Sequence, residues 1–279
     1  MSNLKNGLSG CELKLVNRNV LRKYSSSKEY NSRLSQQIDK QILFSNFILK
    51  NIDTPKILNI YQEELFSFEM EYIPGLSFYE YFSSSCVNNI DFVVDTLFEY
   101  FDFLITSKKS CRIENQVLEK INSLERKSNY SEYLNFLKEY IGREKIYAPK
   151  TFCHGDLTFS NVLFHKNRLF FIDFLDSYVD SFLCDLVKLK QDLYYMWSIN
   201  IQNIKSLRLR QIYRYIWNKL YVRYEQYIES KPFQVLDTMN SLRIEPYLTN
   251  KTQRVILDNI IKNSTLYAKF NCTNGRKIF

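Results

Sequence analysis

Apolar and polar residues alternate over two short stretches near the N-terminus, Glu12 to Val16 and Asn19 to Tyr24, and a third apolar and aromatic stretch runs from Leu65 to Ile73. Branched and aromatic side chains at a period of two predict strands. Between them, Tyr30 to Leu49 carries Leu34, Ile38, Ile42 and Leu49 on a helical repeat, so the expected order is strand, strand, helix, strand. Pro74 and Gly75 follow at once, and such a pair stops pairing and turns the chain. A boundary there gives two lobes, residues 1–73 and residues 74–279.

Beyond Gly75 the repeat is helical, with amphipathic runs near Phe78 to Phe82, Ile90 to Thr106, Glu114 to Leu124 and Tyr130 to Ile141. Thr151 to Phe174 interrupts it. There two short apolar strands, Val162 to Phe164 and Leu169 to Ile172, flank a polar turn at Lys166 and Asn167, and helices resume from Leu183.

Composition narrows the class. A chain of 279 residues that is 45% hydrophobic can bury a substantial core. Neither a signal-peptide pattern at the N-terminus nor a stretch of membrane-spanning length is present, so no membrane insertion and a cytoplasmic location are expected. The six cysteines are scattered without a Cys-x-x-Cys pair, and two histidines are too few to complete a metal site with them. Reduced thiols in the core are the simpler reading. The net charge of +8 raises nucleic acid as a partner. However, Lys205 to Arg223 interleaves its basic residues with Ile212, Tyr215, Ile216 and Leu220 at helical spacing, which favours a solvated helix face and no nucleic acid.

The segment His154-Gly-Asp156-Leu-Thr158-Phe-Ser-Asn161, followed by Ile172-Asp173-Phe174, places two carboxylates and an amide on loops at the ends of short apolar strands. Carboxylates in apolar surroundings are costly unless they hold a cation or accept several hydrogen bonds. Phosphoryl transfer suits the spacing, because it needs one carboxylate to orient an acceptor hydroxyl and a separate oxygen pair to hold magnesium against the ATP phosphates.

This pattern, H-G-D-x4-N and then I-D-F, resembles the catalytic and metal loops of the aminoglycoside phosphotransferase and choline kinase family, relatives of the protein kinases. The resemblance implies an α+β, bilobal protein-kinase-like fold, with a small antiparallel sheet and one helix in the N-lobe and a larger, mainly helical C-lobe. It implies Asp156 as catalytic base, Asn161 and Asp173 as magnesium ligands, His154 as a brace of the loop, and Asp185 as a helix-start aspartate that supports it.

The same resemblance assigns Lys23 to the ATP α- and β-phosphates. Arg22 competes, but strand alternation puts Lys23 on the face of Leu21 and opposite Arg22. Asp39 on the following helix is either the acid that pairs with Lys23 or a solvent-facing residue. Gly7, Ser9 and Gly10 precede the first strand and are either a phosphate loop or a flexible terminus. Met70, Glu71 and Ile73 resemble the inter-lobe hinge, where adenine meets the Glu71 carbonyl and the Ile73 N–H.

Thr158 stands where protein kinases carry a lysine, which favours a small-molecule hydroxyl acceptor over a protein. A sugar, an amino alcohol such as choline or ethanolamine, or a related precursor of a surface glycan or lipid is the expected acceptor, by resemblance to phosphotransferases encoded near capsule and lipopolysaccharide genes. An aminoglycoside O-phosphotransferase and a non-catalytic nucleotide-binding scaffold are the alternatives. Asp176 and Asp180 either cap a helix or face a cationic acceptor. Tyr194, Tyr195 and Trp197 read as core aromatics, with a quaternary-ammonium cage as the other reading.

Overall fold

The computed structural model describes residues 11–125, 128–248, 251–264, 266–267 and 270. In chain order the strands are β1 (Glu12–Asn17), β2 (Val20–Tyr24), β3 (Ile52–Asp53), β4 (Ile57–Tyr61), β5 (Ser67–Glu71), β6 (Ser110–Arg112), β7 (Tyr147–Pro149), β8 (Val162–His165) and β9 (Arg168–Phe171). The helices are α1 (Asn31–Ser45), α2 (Phe78–Ser84), α3 (Val87–Ile105), α4 (Glu114–Leu124), α5 (Ser131–Gly142), α6 (Phe182–Leu189), α7 (Trp197–Ile201), α8 (Leu207–Ile228), α9 (Lys231–Ile244) and α10 (Lys251–Lys262). By contacts the chain divides into two compact units. One runs up to Tyr100 and includes His154–Asp176; the other holds Phe101–Cys153 and everything from Ser177 onward.

The first unit contains an antiparallel sheet in the order β1-β2-β5-β4 and a second sheet in the order β3-β9-β8. Leu34 and Ile38 of α1 are buried with Leu21, Phe66, Phe68 and Met70, so the helix covers the sheet face that also carries Lys23. Strand β4 was not expected from the pattern of the chain. It is an edge strand whose central three residues are all exposed, so burial does not alternate along it and no period-2 signature arises. Strands β8 and β9 form the expected hairpin. Lys166 (φ 47°) and Asn167 (φ 57°) both take the left-handed conformation that a tight two-residue turn requires.

The second unit is mainly helical. Helix α8 buries Leu209, Ile212, Ile216 and Leu220 and leaves Arg208, Arg214 and Lys219 exposed, as expected of a solvated basic face. Cys11 and Cys153 are buried and Cys86 is exposed, and all three stand outside any disulfide. Among the described residues no helix is long and apolar enough to cross a membrane.

Candidate active site

Within the first unit the stretch from His154 to Asn161 forms a loop knotted by its own hydrogen bonds. Gly155 has φ 87°, a conformation that a side chain would strain, and this explains glycine between His154 and Asp156. The Asp156 N–H donates to His154 Nδ1 at 3.2 Å, so the imidazole proton lies on Nε2, which donates to the Ile172 carbonyl at 2.9 Å. His154 is fully buried and its ring stacks on Phe174 at 4.3 Å. Both ring nitrogens thus meet backbone groups of this loop and of the segment before Asp173.

Asn161 is oriented just as firmly. Its Nδ2 donates to the Asp156 carbonyl at 2.8 Å and to Asp156 Oδ2 at 3.0 Å, so its side-chain oxygen faces away from Asp156. That oxygen accepts no hydrogen bond among the described residues. The Asn161 carbonyl in turn receives the Ile172 N–H at 3.0 Å, and the His154 carbonyl receives the Leu175 N–H at 2.9 Å. These bonds bracket Asp173, which sits at φ 58°, a left-handed conformation that aspartate tolerates better than most residues.

Lys23 Nζ is 2.7 Å from Asp173 Oδ1. Burial disfavours the ammonium, but the charge and hydrogen bond of Asp173 outweigh it and leave the Lys23 pKa above the usual lysine value. Arg22 points to the other face of β2, where it lies over the Tyr61 ring at 3.8 Å and bonds Ser67.

The pairing of Asp39 with Lys23 is not what the structure shows. Asp39 is exposed, and the helix residue that meets Lys23 is Gln37, whose Oε1 lies 3.4 Å from Nζ. The reason is helical phase. Leu34, Gln37, Ile38, Gln41 and Phe44 form the buried stripe of α1, and Asp39 falls off it. The signal for Gln37 was available as a polar residue on an apolar stripe. Lys40, which was not anticipated, donates to the Leu175 carbonyl at 2.8 Å.

Met70 and Ile73 are buried, and Glu71 ends β5 with its N–H bonded to the Lys56 carbonyl at 2.9 Å. The Ile73 N–H donates to no described residue. After the turn, Leu76 and Phe164 exchange backbone bonds of 2.9 and 3.0 Å, and a Cβ on Gly75 would lie 2.9 Å from the Leu163 Cβ, so only glycine fits this approach. Ser9 and Gly10, with Gly7, lie outside the described residues.

In the second unit, Asp185 is fully buried in the first turn of α6, whose N-terminus is capped by Ser181. Tyr194 is exposed, and the Tyr195 ring already faces an internal cation, Lys190 Nζ, at 5.6 Å.

The donor set around Asp173 fits magnesium. A neutral amide oxygen without a hydrogen bond and a half-exposed carboxylate are hard oxygen ligands, and magnesium is commonly held by one or two protein oxygens together with substrate phosphates. Among the described residues no group of three or more His, Cys, Asp or Glu is placed to hold a metal, so a self-sufficient protein cage is not seen there.

The model of the phosphotransferase enzyme family, APH, matches residues 16–220, and the chain belongs to that family. Its fold is the kinase-like α+β fold of the aminoglycoside phosphotransferases. The streptomycin-ATP-APH(2")-IIa ternary complex superposes with a TM-score of 0.54 at 16% identity, covering 94% of this chain and 91% of that one. The GDP complex of wild-type aminoglycoside 2'-phosphotransferase-IIIa gives 0.58 at 13% identity, covering 98% and 92%. A thermostable mutant of APH(4)-Ia in its apo form gives 0.56 at 10% identity, covering 95% and 94%. Among curated proteins, none matches the chain.

Proposed function

We propose that the chain transfers the γ-phosphoryl group of ATP to a hydroxyl of a small molecule, with Asp156 as the base. The observation that carries this reading is the bond network of Asn161, which ties the Asp156 carboxylate to the Ile172–Asp173 segment through Nδ2 on one side and its own carbonyl on the other. A base and a pair of metal-binding oxygens held in one hydrogen-bonded frame is the arrangement phosphoryl transfer needs, since the reaction depends on positioning and charge stabilisation.

In this reading Asp156 orients the acceptor hydroxyl and takes its proton as the new oxygen–phosphorus bond forms and the bond from the γ-phosphorus to its bridging oxygen breaks, releasing ADP. Lys23 binds the α- and β-phosphates. Asn161 and Asp173 hold magnesium, which when bound neutralises charge on the phosphate oxygens. Thr158 stands beside the base as a hydrogen-bond donor to the transferring group. Adenine is taken by the Glu71 carbonyl and the Ile73 N–H, with Met70 alongside; that the Ile73 N–H donates to no described residue supports this. The ATP-binding part falls within residues 1–73 and the acceptor part within 74–279.

The acceptor is a sugar, an amino alcohol or a related hydroxyl compound. An aminoglycoside is the second reading, favoured by structural neighbours that carry streptomycin or gentamicin. Turnover of labelled ATP against a panel holding both acceptor classes separates them. With the best acceptor, Asp156→Ala and Asp173→Ala are each expected to lower kcat by about 10²–10⁴. Full activity in both variants would remove the mechanism, and magnesium-dependent ATP binding with no acceptor turned over would point to a non-catalytic scaffold.

A further inference from the structure

Helix α1 follows the Asp173 segment along one flank. Gln37 meets Lys23, Lys40 donates to the Leu175 carbonyl at 2.8 Å, and Gln41 Nε2 donates to the Pro55 carbonyl at 2.6 Å. One turn further, the Phe44 ring lies 5.6 Å from Phe171 and 5.2 Å from Phe174. The helix therefore grips the chain on both sides of Asp173, by the Phe171 ring on one and by the Phe174 ring and the Leu175 carbonyl on the other.

Such a grip has a purpose, because the left-handed backbone of Asp173 is unfavourable for a residue with a side chain and persists only if its neighbours over-determine it. The Leu175 N–H is fixed by the His154 carbonyl at 2.9 Å, and Lys40 fixes the carbonyl end of the same residue. A lysine donating to a carbonyl is a charge-assisted bond, stronger than a neutral one.

We propose that Lys40 is a positioning residue for the metal-binding carboxylate: its ammonium on the Leu175 carbonyl ties α1 to the segment that sets the backbone of Asp173. The inference rests on the reading of Asp173 as a magnesium ligand. Lys40 touches neither nucleotide nor metal in this scheme, so its loss loosens the geometry of Asp173 while the hinge and the place of Lys23 on β2, beside Gln37, are kept.

The test is calorimetric titration of the full chain with ADP, in EDTA and in magnesium, for the wild type, Lys40→Met, Lys40→Gln and Lys40→Arg, with near-ultraviolet circular dichroism to verify folding. In the wild type, magnesium tightens ADP binding. Lys40→Met is expected to lose about tenfold of that gain with its metal-free affinity unchanged, and Lys40→Arg to recover most of it. Should Lys40→Met not fold, the contrast between Lys40→Gln and Lys40→Arg is read in the same way.

Retention of the whole magnesium gain by Lys40→Met or Lys40→Gln overturns the role of Lys40 and leaves the function standing. Equal loss with and without metal, which marks general damage to the fold, also overturns it. Absence of any magnesium gain in the wild type removes the metal reading itself and this inference with it.

Discussion

Lys23 and Asp173 form an ion pair of unequal environments, with the lysine side chain 6% exposed and the aspartate 49%. Removing either partner therefore has different consequences. Asp173→Asn removes the negative charge beside a buried ammonium and leaves it only neutral acceptors among the described residues, whereas Lys23→Met leaves a carboxylate that water can solvate. The expected loss of unfolding free energy is about 3 kcal/mol for Asp173→Asn and below about 1 kcal/mol for Lys23→Met. Urea denaturation of both variants checks this, and equal losses would show that the pair is solvated more evenly than the structure indicates.

The same pair sets a dependence on alkaline pH. Burial alone would lower the Lys23 pKa, but Asp173 raises it past the ordinary 10.5. A group whose folded pKa lies above its unfolded value stabilises the fold fully below the unfolded value and loses that contribution as pH rises through the folded one. The stability difference between wild type and Lys23→Met is therefore expected to be constant through neutral pH and to shrink only above 10.5. Denaturation midpoints measured from neutral to strongly alkaline pH read it directly, and a difference that already fades near neutrality would contradict the ion pair.

Much of this arrangement was legible in the residues, and the parts that were not have physical reasons. Asp156, Asn161 and Asp173 stand out because polar side chains at the ends of apolar strands need a reason to be there, and strand alternation was enough to put Lys23 and Arg22 on opposite faces of β2. Of the two readings of Asp39 the solvent-facing one holds, because helical phase turns the neutral Gln37 inward and leaves Asp39 off the buried stripe. Lys40 could not be read at all: its partner is a backbone carbonyl 135 residues away, and a carbonyl leaves no mark in a sequence. Strand β4 escaped because an edge strand with three exposed central residues carries no alternation.

Gly155 offers a sharper probe of the loop than any charged residue. At φ 87° its backbone lies where a Cβ is strained, and the His154–Asp156 hydrogen bond depends on that turn. Gly155→Ala is expected to destabilise the fold by about 1–2 kcal/mol and to lower kcat with little change in the KM for ATP, because in the proposed mechanism the displaced group is the base and not the nucleotide site. Steady-state kinetics with a hydroxyl acceptor test the split. A rise in the KM for ATP with kcat unchanged would place the disturbance elsewhere.

In the proposed mechanism Asn161 joins two functions in one side chain, and two substitutions separate them. Asn161→Ala removes both the metal-facing oxygen and the hydrogen bonds to Asp156, so magnesium-dependent nucleotide binding and turnover are expected to fall together. Asn161→Asp keeps an oxygen for the metal but replaces the Nδ2 donor, which lies 3.0 Å from Asp156 Oδ2, with a second negative charge. Like charges at this distance favour the protonated form of the neighbouring acid. A base works only when deprotonated, so the acid limb of the kcat/KM profile should move to higher pH in Asn161→Asp, by about one unit or more, while magnesium-dependent ADP binding is retained. A pH–rate profile measured beside ADP calorimetry decides the matter: an acid limb unchanged from wild type would mean that Asp156 is not the group whose protonation limits the rate.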